Sequence, residues 1–274
     1  MKTNIDIKTV KGFGDEWERF NQSELELTEK INGFNLYFNI FPWDKINSNS
    51  IGFDAGCGSG RWASLVAPKV KTLFCVDPSS AIQVAKRNLS DFNNCIFLNE
   101  SIDEFSKKYN DFGYSLGVLH HIPDTKAALQ NCVNTLKPGA PFLLYLYYSF
   151  DNKPFWYFYI WKLSDYFRKI ISILPNGLRY LVSQLIAFIV YVPLAKFAKL
   201  IEKIGFNVSN LPLSSYKNNS LYTIRTDALD RFGTRLEQRF SKNEIYNMMI
   251  ESDLTEIKFS ESIPFWCAVG IKKY

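Results

Sequence analysis

The sequence predicts an α/β protein with a doubly wound parallel sheet, and three observations carry this prediction. Apolar and amphipathic segments alternate between Ile51 and Tyr148, which is typical of strands and helices in βαβ units. The first apolar segment, Ile51–Asp54, runs directly into a glycine-rich turn, and glycine lets a chain turn sharply from a strand into a helix. Residues 255–273 contain two further apolar segments joined by a short turn, which predicts a C-terminal antiparallel hairpin.

The same alternation gives the order of the elements. Near the C-terminus, Ser241 is followed three residues later by Glu244. This spacing is a capping box, in which the two side chains satisfy N–H groups at a helix N-terminus, so a helix is predicted to begin there. The predicted parallel strands are 51–54, 72–76, 95–98, 112–117 and 141–147.

The glycine-rich turn runs from Asp54 to Gly60 and precedes a predicted helix. The N-terminus of such a helix offers unpaired N–H groups to a ligand. The second predicted strand ends at Asp77, 21 residues after Gly56, and an acid at about this separation binds ribose hydroxyls in doubly wound folds. Nicotinamide and flavin dehydrogenases have the pattern Gly-x-Gly-x-x-Gly. The third glycine here comes one residue earlier, which disfavours that class.

A third motif follows the fourth strand, where Ser115–Asp124 reads Ser-Leu-Gly-Val-Leu-His-His-Ile-Pro-Asp. With three motifs in this order, the chain resembles the class I S-adenosylmethionine-dependent methyltransferases of the type 11 kind. The resemblance is close over 46–149 and looser over 226–274. It implies a Rossmann-like seven-stranded sheet, S-adenosylmethionine as cofactor and S-adenosylhomocysteine as product.

The resemblance also implies a set of cofactor-binding residues. Asp54 is expected to accept from the amino end of the cofactor or to orient the glycine turn, and Asp77 to bind the ribose. Ser101 stands where the family usually has an Asp, so the adenine contact is expected to involve the backbone. Trp17 is expected to fold over the cofactor, with ordinary core packing as the alternative. The full set is Asp54, Gly56, Cys57, Gly58, Gly60, Asp77, Pro78, Ser101, Ile102, Gly117, Val118 and Trp17.

The candidate catalytic residues are His121, His120 and Tyr147. Methyl transfer to a hydroxyl requires an aligned nucleophile and removal of its proton, and histidine suits the role of base near neutral pH. His121 is predicted to lie nearer the methyl group. The alternative is that a histidine only packs or hydrogen-bonds beneath the cofactor.

The candidate substrate-binding residues lie in two regions. Tyr148 ends the fifth predicted strand, at the edge of the sheet where ligands bind in open α/β folds. Tyr222, Arg225 and Asp227 lie in a polar stretch that is interpreted as turn-rich, where Arg225 would bind an anionic group. Solvated charge pairs are the alternative for this stretch.

The amino-acid composition indicates which classes of protein the chain can belong to. The chain has 274 residues, 47% of them hydrophobic, which is enough for a full core. Its five cysteines form no Cys-x-x-Cys pair, which predicts reduced thiols and a cytoplasmic protein. The N-terminus lacks the pattern of a charged then apolar leader. The two histidines are adjacent and no Cys/His cluster is present, so no metal site is expected.

The predicted domains are an N-terminal helical lid at 1–45, a cofactor-binding core at 46–149, a helical cap at 150–225 and completion of the sheet at 226–274. Residues 151–205 hold 12 aromatic residues and eight Lys or Arg against three Asp or Glu, a local net charge of +5. Within this segment 180–195 is nearly apolar and is expected to form a buried helix, since Ser183, Gln184 and Pro193 interrupt it. The cap is expected to cover the active site, or alternatively to contact a membrane surface or an acidic or lipid-linked substrate.

These features predict a methyltransferase acting on a small or lipid-linked metabolite, at oxygen rather than nitrogen. Two alternatives stay open, an RNA or other nucleic-acid methyltransferase and an inactive cofactor-binding partner subunit. Enzymes that methylate exocyclic base amines carry an Asn/Asp-Pro-Pro-aromatic signature after the fourth strand. The sequence here is Gly-Val-Leu-His-His-Ile-Pro-Asp, which disfavours nucleic acid as the acceptor.

Overall fold

A seven-stranded sheet forms the centre of the protein in the computed structural model, which describes residues 4–274. The strand order is β3-β2-β1-β4-β5-β7-β6. The first five strands are parallel, and β7 is antiparallel to both β5 and β6. The strands are β1 Ile51–Ala55, β2 Thr72–Val76, β3 Cys95–Leu98, β4 Phe112–Leu116, β5 Pro141–Tyr145, β6 Leu254–Phe259 and β7 Ala268–Lys272.

The predicted sheet and its C-terminal hairpin are thereby confirmed, although β4 and β5 end one and two residues earlier than predicted. The helices are α1 Ile7–Arg19, α2 Leu27–Phe38, α3 Ala63–Val66, α4 Ala81–Asn88, α5 Thr125–Asn134, α6 Phe155–Ile171, α7 Asn176–Ile186, α8 Val192–Lys203, α9 Leu221–Gly233 and α10 Lys242–Glu251. A π-helical turn at Ala187–Tyr191 joins α7 to α8. The capping box of α10 is present, with Ser241 Oγ accepting from Glu244 N.

Two hydrophobic clusters cover the two faces of the sheet, because successive residues of a strand point to opposite faces. Phe53 of β1 packs in one cluster with Phe142 and with residues of α5. Leu73 of β2 packs in the other with Leu143 and with residues of α2 and α4. The central strands β1, β4 and β5 are buried on both sides, so polar chemistry is expected at their ends.

The chain divides into two compact units. The first comprises residues up to Gln22, Lys30–Ser149 and Leu236–Tyr274, and it contains the sheet. The second comprises Ser23–Glu29 and Phe150–Arg235. It has its own apolar cluster, built from α6 to α9, that includes Ala187, Ala195 and Ala228. Residues 1–3 of the predicted N-terminal segment lie outside the described residues.

Two predictions about the second unit were wrong. The stretch that contains Tyr222, Arg225 and Asp227 is not turn-rich, because it forms the helix α9. Ser220 caps this helix by accepting from Thr223 N, and Tyr222 lies among its buried residues. The apolar segment 180–195 is helical, but only 33% of the most apolar window of Asn176–Lys203 is buried.

Candidate active site

The glycine-rich turn lies at the carboxyl end of β1 and has a backbone that only glycine adopts without strain. Gly56, Gly58 and Gly60 have φ angles of 80°, 54° and 78°. A Cβ at Gly56 would lie 2.3 Å from Val118 Cγ1, so the turn and the segment after β4 are in close contact. Gly117 also has a positive φ, 77°, and a Cβ there would meet no atom within 4 Å. Open space therefore borders the end of β4.

Asp54, the penultimate residue of β1, has a carboxyl group that lacks a full set of hydrogen-bond partners. Its Oδ2 is buried and, among the described residues, has no hydrogen bond of acceptable geometry. Burial raises the pKa of Asp54 to about 8, although the neighbouring Tyr114 hydroxyl lowers it. Tyr114 is near enough to influence this pKa, yet its hydroxyl also lacks a well-formed hydrogen bond. A buried acceptor without a partner fits a cationic donor such as the cofactor's amino group.

Asp77 at the end of β2 is already a strong acceptor within the protein. Its Oδ2 accepts from Gly58 N at 2.9 Å, and its Oδ1 accepts from Ser79 N at 2.8 Å and Ser79 Oγ at 2.6 Å. Burial raises the pKa of Asp77, while the Ser79 and Gly58 hydrogen bonds lower it. Each carboxylate oxygen accepts about two hydrogen bonds. Only Oδ2 therefore keeps capacity for a ribose hydroxyl unless the Ser79 hydroxyl turns away.

Trp17 lies over the glycine turn. A Cβ at Gly58 would lie 3.0 Å from Trp17 Nε1, so the indole packs directly on the backbone of the turn. The Arg61 guanidinium lies 5.3 Å from the ring centroids of both Trp17 and Trp62, within the range of cation–π attraction. The structure places Trp17 beside the glycine turn. Its role at the cofactor stays a prediction.

The remaining predicted cofactor residues surround these strand ends. Ser101 follows β3, and both its N and its Oγ donate to Glu104 Oε2, at 2.8 and 2.9 Å. The backbone contact to adenine that was expected of Ser101 would have to displace Glu104. Ile102 packs in the core cluster, Pro78 is exposed, and burial raises the pKa of the Cys57 thiol to about 11, so the thiol is neutral.

S-adenosylmethionine fits this arrangement on three structural observations. The buried Asp54 Oδ2 has no well-formed hydrogen bond among the described residues, the three glycines of the turn have positive φ angles, and Gly117 borders open space. Asp54 and Asp77 would hold the two polar ends of the cofactor. Within residues 4–274, no group of three or more His, Cys, Asp and Glu side chains is arranged to hold a metal ion. A polar pocket also lies near Lys45, Asp111 and Lys137, at the opposite edge of the sheet, where parallel strands begin.

The backbone partners of the two histidines favour different tautomers of the two rings. His121 Nδ1 lies 2.7 Å from Leu236 O. A carbonyl can only accept, so Nδ1 carries the proton and the Nε2 of the neutral ring is the basic nitrogen. His120 Nδ1 instead accepts from Tyr147 N at 3.4 Å, which places the His120 proton on Nε2. Burial, aided by His121 and Arg239, lowers the pKa of His120 well below its usual range.

Tyr147 joins the histidines in one aromatic cluster beyond the end of β5. Its ring centroid lies 3.9 Å from that of His120 and 5.5 Å from that of His121. The ring of Phe13, from α1, lies 4.9 Å from that of His121. The structure therefore brings the three predicted catalytic residues together. The role of His121 as the general base stays a prediction.

Sequence reasoning missed a buried ion pair beside this cluster. Arg239 Nε lies 2.8 Å from Glu237 Oε1, and the two side chains are 12% and 1% exposed. The Arg239 guanidinium also lies 5.1 Å from the Tyr147 ring centroid and donates to Tyr148 O at 3.2 Å. No local signal marks these two residues, because they are 90 residues further along the chain than Tyr147 and only the fold brings them to it.

The predicted substrate residues are divided between the units. Tyr148 lies in the first unit, with its ring 5.7 Å from that of Phe265. Tyr222, Arg225 and Asp227 lie on α9 in the second unit. Arg225 donates to Gln184 Oε1 at 2.7 Å and to Tyr180 Oη at 2.9 Å, contacts that tie α9 to α7. Their role in substrate binding stays a prediction.

Comparisons with known proteins find similar methyltransferase domains and a similar fold. Residues 53–144 match the family model of a methyltransferase domain. The ubiquinone biosynthesis O-methyltransferases of Nitrosomonas europaea and Coxiella burnetii are 27% and 29% identical over 130 and 129 residues. Each alignment covers 45% of this chain and 52% of the relative. The chain thus spans about half the length of the curated relatives it matches.

Two solved structures share the fold. An O-methyltransferase family protein from Burkholderia thailandensis has a TM-score of 0.55 at 10% identity, with 93% of this chain and 59% of that chain covered. A chain from the complex between the Haloferax volcanii Trm112 methyltransferase activator and a methyltransferase has a TM-score of 0.52 at 13% identity, with 96% and 98% covered. The strand order, the glycine turn with its two carboxylates and the match over residues 53–144 together identify a methyltransferase domain of the S-adenosylmethionine-dependent type within this chain.

Proposed function

We propose that this protein transfers a methyl group from S-adenosylmethionine to a hydroxyl oxygen of a small or lipid-linked metabolite. The observation that carries the proposal is the tautomer of His121, whose Nδ1 donates to Leu236 O and whose Nε2 is therefore the basic nitrogen. An oxygen acceptor needs to lose its proton during transfer, and a positioned imidazole accelerates such steps by about 10²–10⁴-fold. The curated relatives are named as O-methyltransferases, which supports oxygen over nitrogen.

Each residue of the cluster has a distinct part in this proposal. When bound, the cofactor supplies an electrophilic methyl group on a sulfonium sulfur. Asp54 and Asp77 hold its amino and ribose groups. His121 takes the hydroxyl proton at Nε2, and the Leu236 carbonyl stabilises the resulting imidazolium by accepting from Nδ1. His120, buried and neutral, orients Tyr147 through the hydrogen bond from Tyr147 N.

The same residues bear on the alternatives. The positive charge of residues 151–205 left RNA as an alternative methyl acceptor. RNA binding requires a continuous basic surface, whereas α6–α8 expose mainly apolar side chains. An inactive partner subunit would need no base of defined tautomer. We further propose a cytoplasmic location, since all five cysteines are free thiols and buried.

The test is methyl transfer from labelled S-adenosylmethionine to a panel of phenols and their matched anilines. We expect transfer to the hydroxyl compounds, and we expect His121→Ala to lower turnover by about 10²–10⁴-fold with little change in cofactor affinity. Turnover of the wild type should rise with pH as the imidazole loses its proton, and this dependence should be absent in the variant.

His120→Gln is the matched control, because it removes the neighbouring imidazole without touching the Nε2 that acts as base. Preferred transfer to the anilines would contradict an oxygen acceptor. If His121→Ala lost cofactor affinity and stability while its residual turnover ignored pH, the histidine would be a packing residue and not a base.

A further inference from the structure

The three helices α6, α7 and α8 expose an unusually apolar surface. Seventeen large hydrophobic side chains of these helices and of the π-helical turn between α7 and α8 are exposed, among them Phe155, Leu163, Phe167, Leu181, Phe188 and Ile189. Single exposed hydrophobic residues are normal on a soluble protein, but contiguous ones mark an interaction surface. We call the exposed side of α6–α8 the outer face. Between Leu178 and Leu194 this face carries no charged side chain, because Arg179 is buried.

The inner side of the same helices is unusually polar. Asp165, Arg168, Ser183 and Gln184 are all buried. Arg168 Nε donates to Asp165 Oδ1 at 2.7 Å, and Gln184 Oε1 accepts from Arg225 Nε at 2.7 Å. A helix in water normally turns its apolar side inward and its charges outward. In α6–α8 this arrangement is reversed, with polar side chains buried and large apolar side chains exposed. Such a reversal is typical of helices in contact with lipid.

One continuous helix within the described residues is long and apolar enough, by length and composition, to cross a membrane. It is the 28-residue helix Asn176–Lys203. One side of it packs on α9 through Ala187 and Ala195, which lie in the apolar cluster of the second unit with Ala228. Since only one side of the helix is exposed, the arrangement matches a helix that lies in the interface of a bilayer better than one that spans it.

The charged side chains of the outer face indicate which kind of partner it would bind. Lys162, Lys196, Lys199 and Lys203 are exposed there. The only exposed acid of α6–α8 is Glu202, and its carboxylate pairs with Lys217 at 2.6 Å. Lysines beside an apolar face complement anionic lipid headgroups. In a two-fold symmetric dimer the same patch would face itself, which would set these lysines against one another.

We propose that the outer face of α6–α8 is a docking surface for an anionic lipid bilayer. The apolar side chains around Phe188 and Ile189 enter the boundary between headgroups and acyl chains. Lys196, Lys199 and Lys203 contact the headgroups at the C-terminal end of α8. This inference concerns a surface and does not depend on the proposed methyl transfer.

The experiment is co-sedimentation of the full chain with vesicles, without cofactor or acceptor. We expect binding to vesicles of phosphatidylglycerol and phosphatidylcholine, and at least tenfold weaker binding to phosphatidylcholine alone. High salt should weaken the former, because surface charges are screened within a Debye length. Absence of binding to the anionic vesicles at low salt would overturn the proposal.

Two variants separate the apolar and the electrostatic parts. Phe188→Ser/Ile189→Ser, at positions 50% and 69% exposed, should weaken partitioning to anionic vesicles by at least tenfold. Lys196→Gln/Lys199→Gln/Lys203→Gln should weaken it by roughly fivefold per lysine and leave binding to phosphatidylcholine unchanged. All five side chains are exposed, so circular dichroism should report an unchanged fold.

The matched control is Leu36→Ser/Tyr246→Ser in the first unit, whose side chains are 45% and 46% exposed. This control should bind vesicles as the wild type does. Equal binding by the Phe188→Ser/Ile189→Ser variant would overturn the proposal. So would a lipid-independent dimer, in sedimentation velocity, that the same variant dissociates, because the outer face would then be an interface between copies of the chain.

Discussion

At the scale of single residues, Asp54 is expected to couple cofactor binding to proton release. Burial raises the pKa of Asp54 to about 8, against about 3.9 in an unfolded chain. Because the folded pKa is the higher one, the stability that this proton contributes is fully present below about pH 4 and is lost as pH rises toward 8. At pH 7 the buried carboxyl therefore lowers the free energy of unfolding by about 4 kcal/mol relative to acid, at 1.36 kcal/mol per pKa unit.

We expect Asp54→Asn to raise the free energy of unfolding of the ligand-free protein by about 2–4 kcal/mol at pH 7, and by almost nothing at pH 4. The amide stays neutral in both states, so the cost of keeping a proton disappears. Urea unfolding at the two pH values measures this difference. An equal effect at both would mean that packing, and not protonation, decides the stability.

The cofactor's ammonium should take the place of that proton. Calorimetry of S-adenosylhomocysteine binding at pH 7, in buffers of different ionisation enthalpy, should give roughly one proton released for the wild type and none for Asp54→Asn. Affinity should also fall in the variant, since the ammonium loses a charged partner. Binding without proton release in the wild type would remove Asp54 from the amino site.

Asp77 gives a second prediction for the cofactor. Asp77→Ala should weaken S-adenosylhomocysteine binding by about 10–100-fold, because hydrogen bonds to a charged group are worth about 1.5–3 kcal/mol. Ser79→Ala is the control, because it removes the donor at 2.6 Å from Oδ1 while leaving the carboxylate in place. It should weaken binding less, and calorimetry compares the two. Unchanged affinity in Asp77→Ala would rule out the ribose role.

The sequence identified these residues because their signals are local. Asp54 stands directly before the glycines and Asp77 directly after an apolar strand. Arg239 and Glu237 have no such context, and their position beside Tyr147 depends on the return of the chain after the second unit. The hydrogen bond from His121 to Leu236 O was equally unpredictable, since a backbone carbonyl carries no sequence signal.

At the scale of elements, the second unit is held by a buried ion pair. Arg168 of α6, 3% exposed, donates to Asp165 and also to the carbonyls of Thr234 and Arg235, at 2.8 and 3.0 Å. Burial opposes ionisation of Asp165, but the hydrogen bonds and charges of Arg168 and Lys169 lower its pKa below the ordinary value. This contribution to stability is present above about pH 4 and is lost as pH falls further.

We expect Arg168→Ala to destabilise the second unit by about 3–5 kcal/mol, because a buried carboxylate and two carbonyls lose their donor. Lys169→Ala removes an exposed partner of the same carboxylate and should cost at most about 1 kcal/mol. Urea unfolding followed by tryptophan fluorescence, with Trp156 and Trp161 on α6, compares them. If both variants lowered the free energy of unfolding equally, the burial of Arg168 would not be what makes its ion pair stabilising.

Elements with regular periodicity were predictable, and so was the helical character of residues 180–195, whereas the helix α9 and the exposure of the apolar segment were not. The strands β1–β3 and the capped start of α10 follow from alternation and a local capping box. Residues 221–233 have polar and apolar side chains on several sides, which obscured the helix. The apolar run at 180–195 was expected to be buried because apolar residues usually are. The structure instead buries its polar residues.

At the scale of the whole molecule, the longer of the two segments of the second unit, Phe150–Arg235, is inserted in the chain between β5 and α10. The chain leaves the first unit at Ser149 and returns at Leu236. Ser149 N donates to Phe240 O at 2.9 Å, and Phe240 N donates to Tyr147 O at 2.9 Å. The exit and the return are thus held together by hydrogen bonds that belong entirely to the first unit.

We therefore expect that replacing residues 150–235 with about six Gly and Ser residues, a length whose mean span is roughly 13 Å, leaves the seven-stranded unit folded. Both sheet-covering clusters lie outside the removed segment, and Asp54, Asp77 and His121 remain. S-adenosylhomocysteine should bind within about tenfold of its affinity for the full chain, since these residues and the glycine turn all lie in the first unit. Vesicle binding should disappear with the outer face. If the shortened chain instead aggregates without binding the cofactor, the second unit stabilises the sheet itself, and the division into a binding core and a docking unit is wrong.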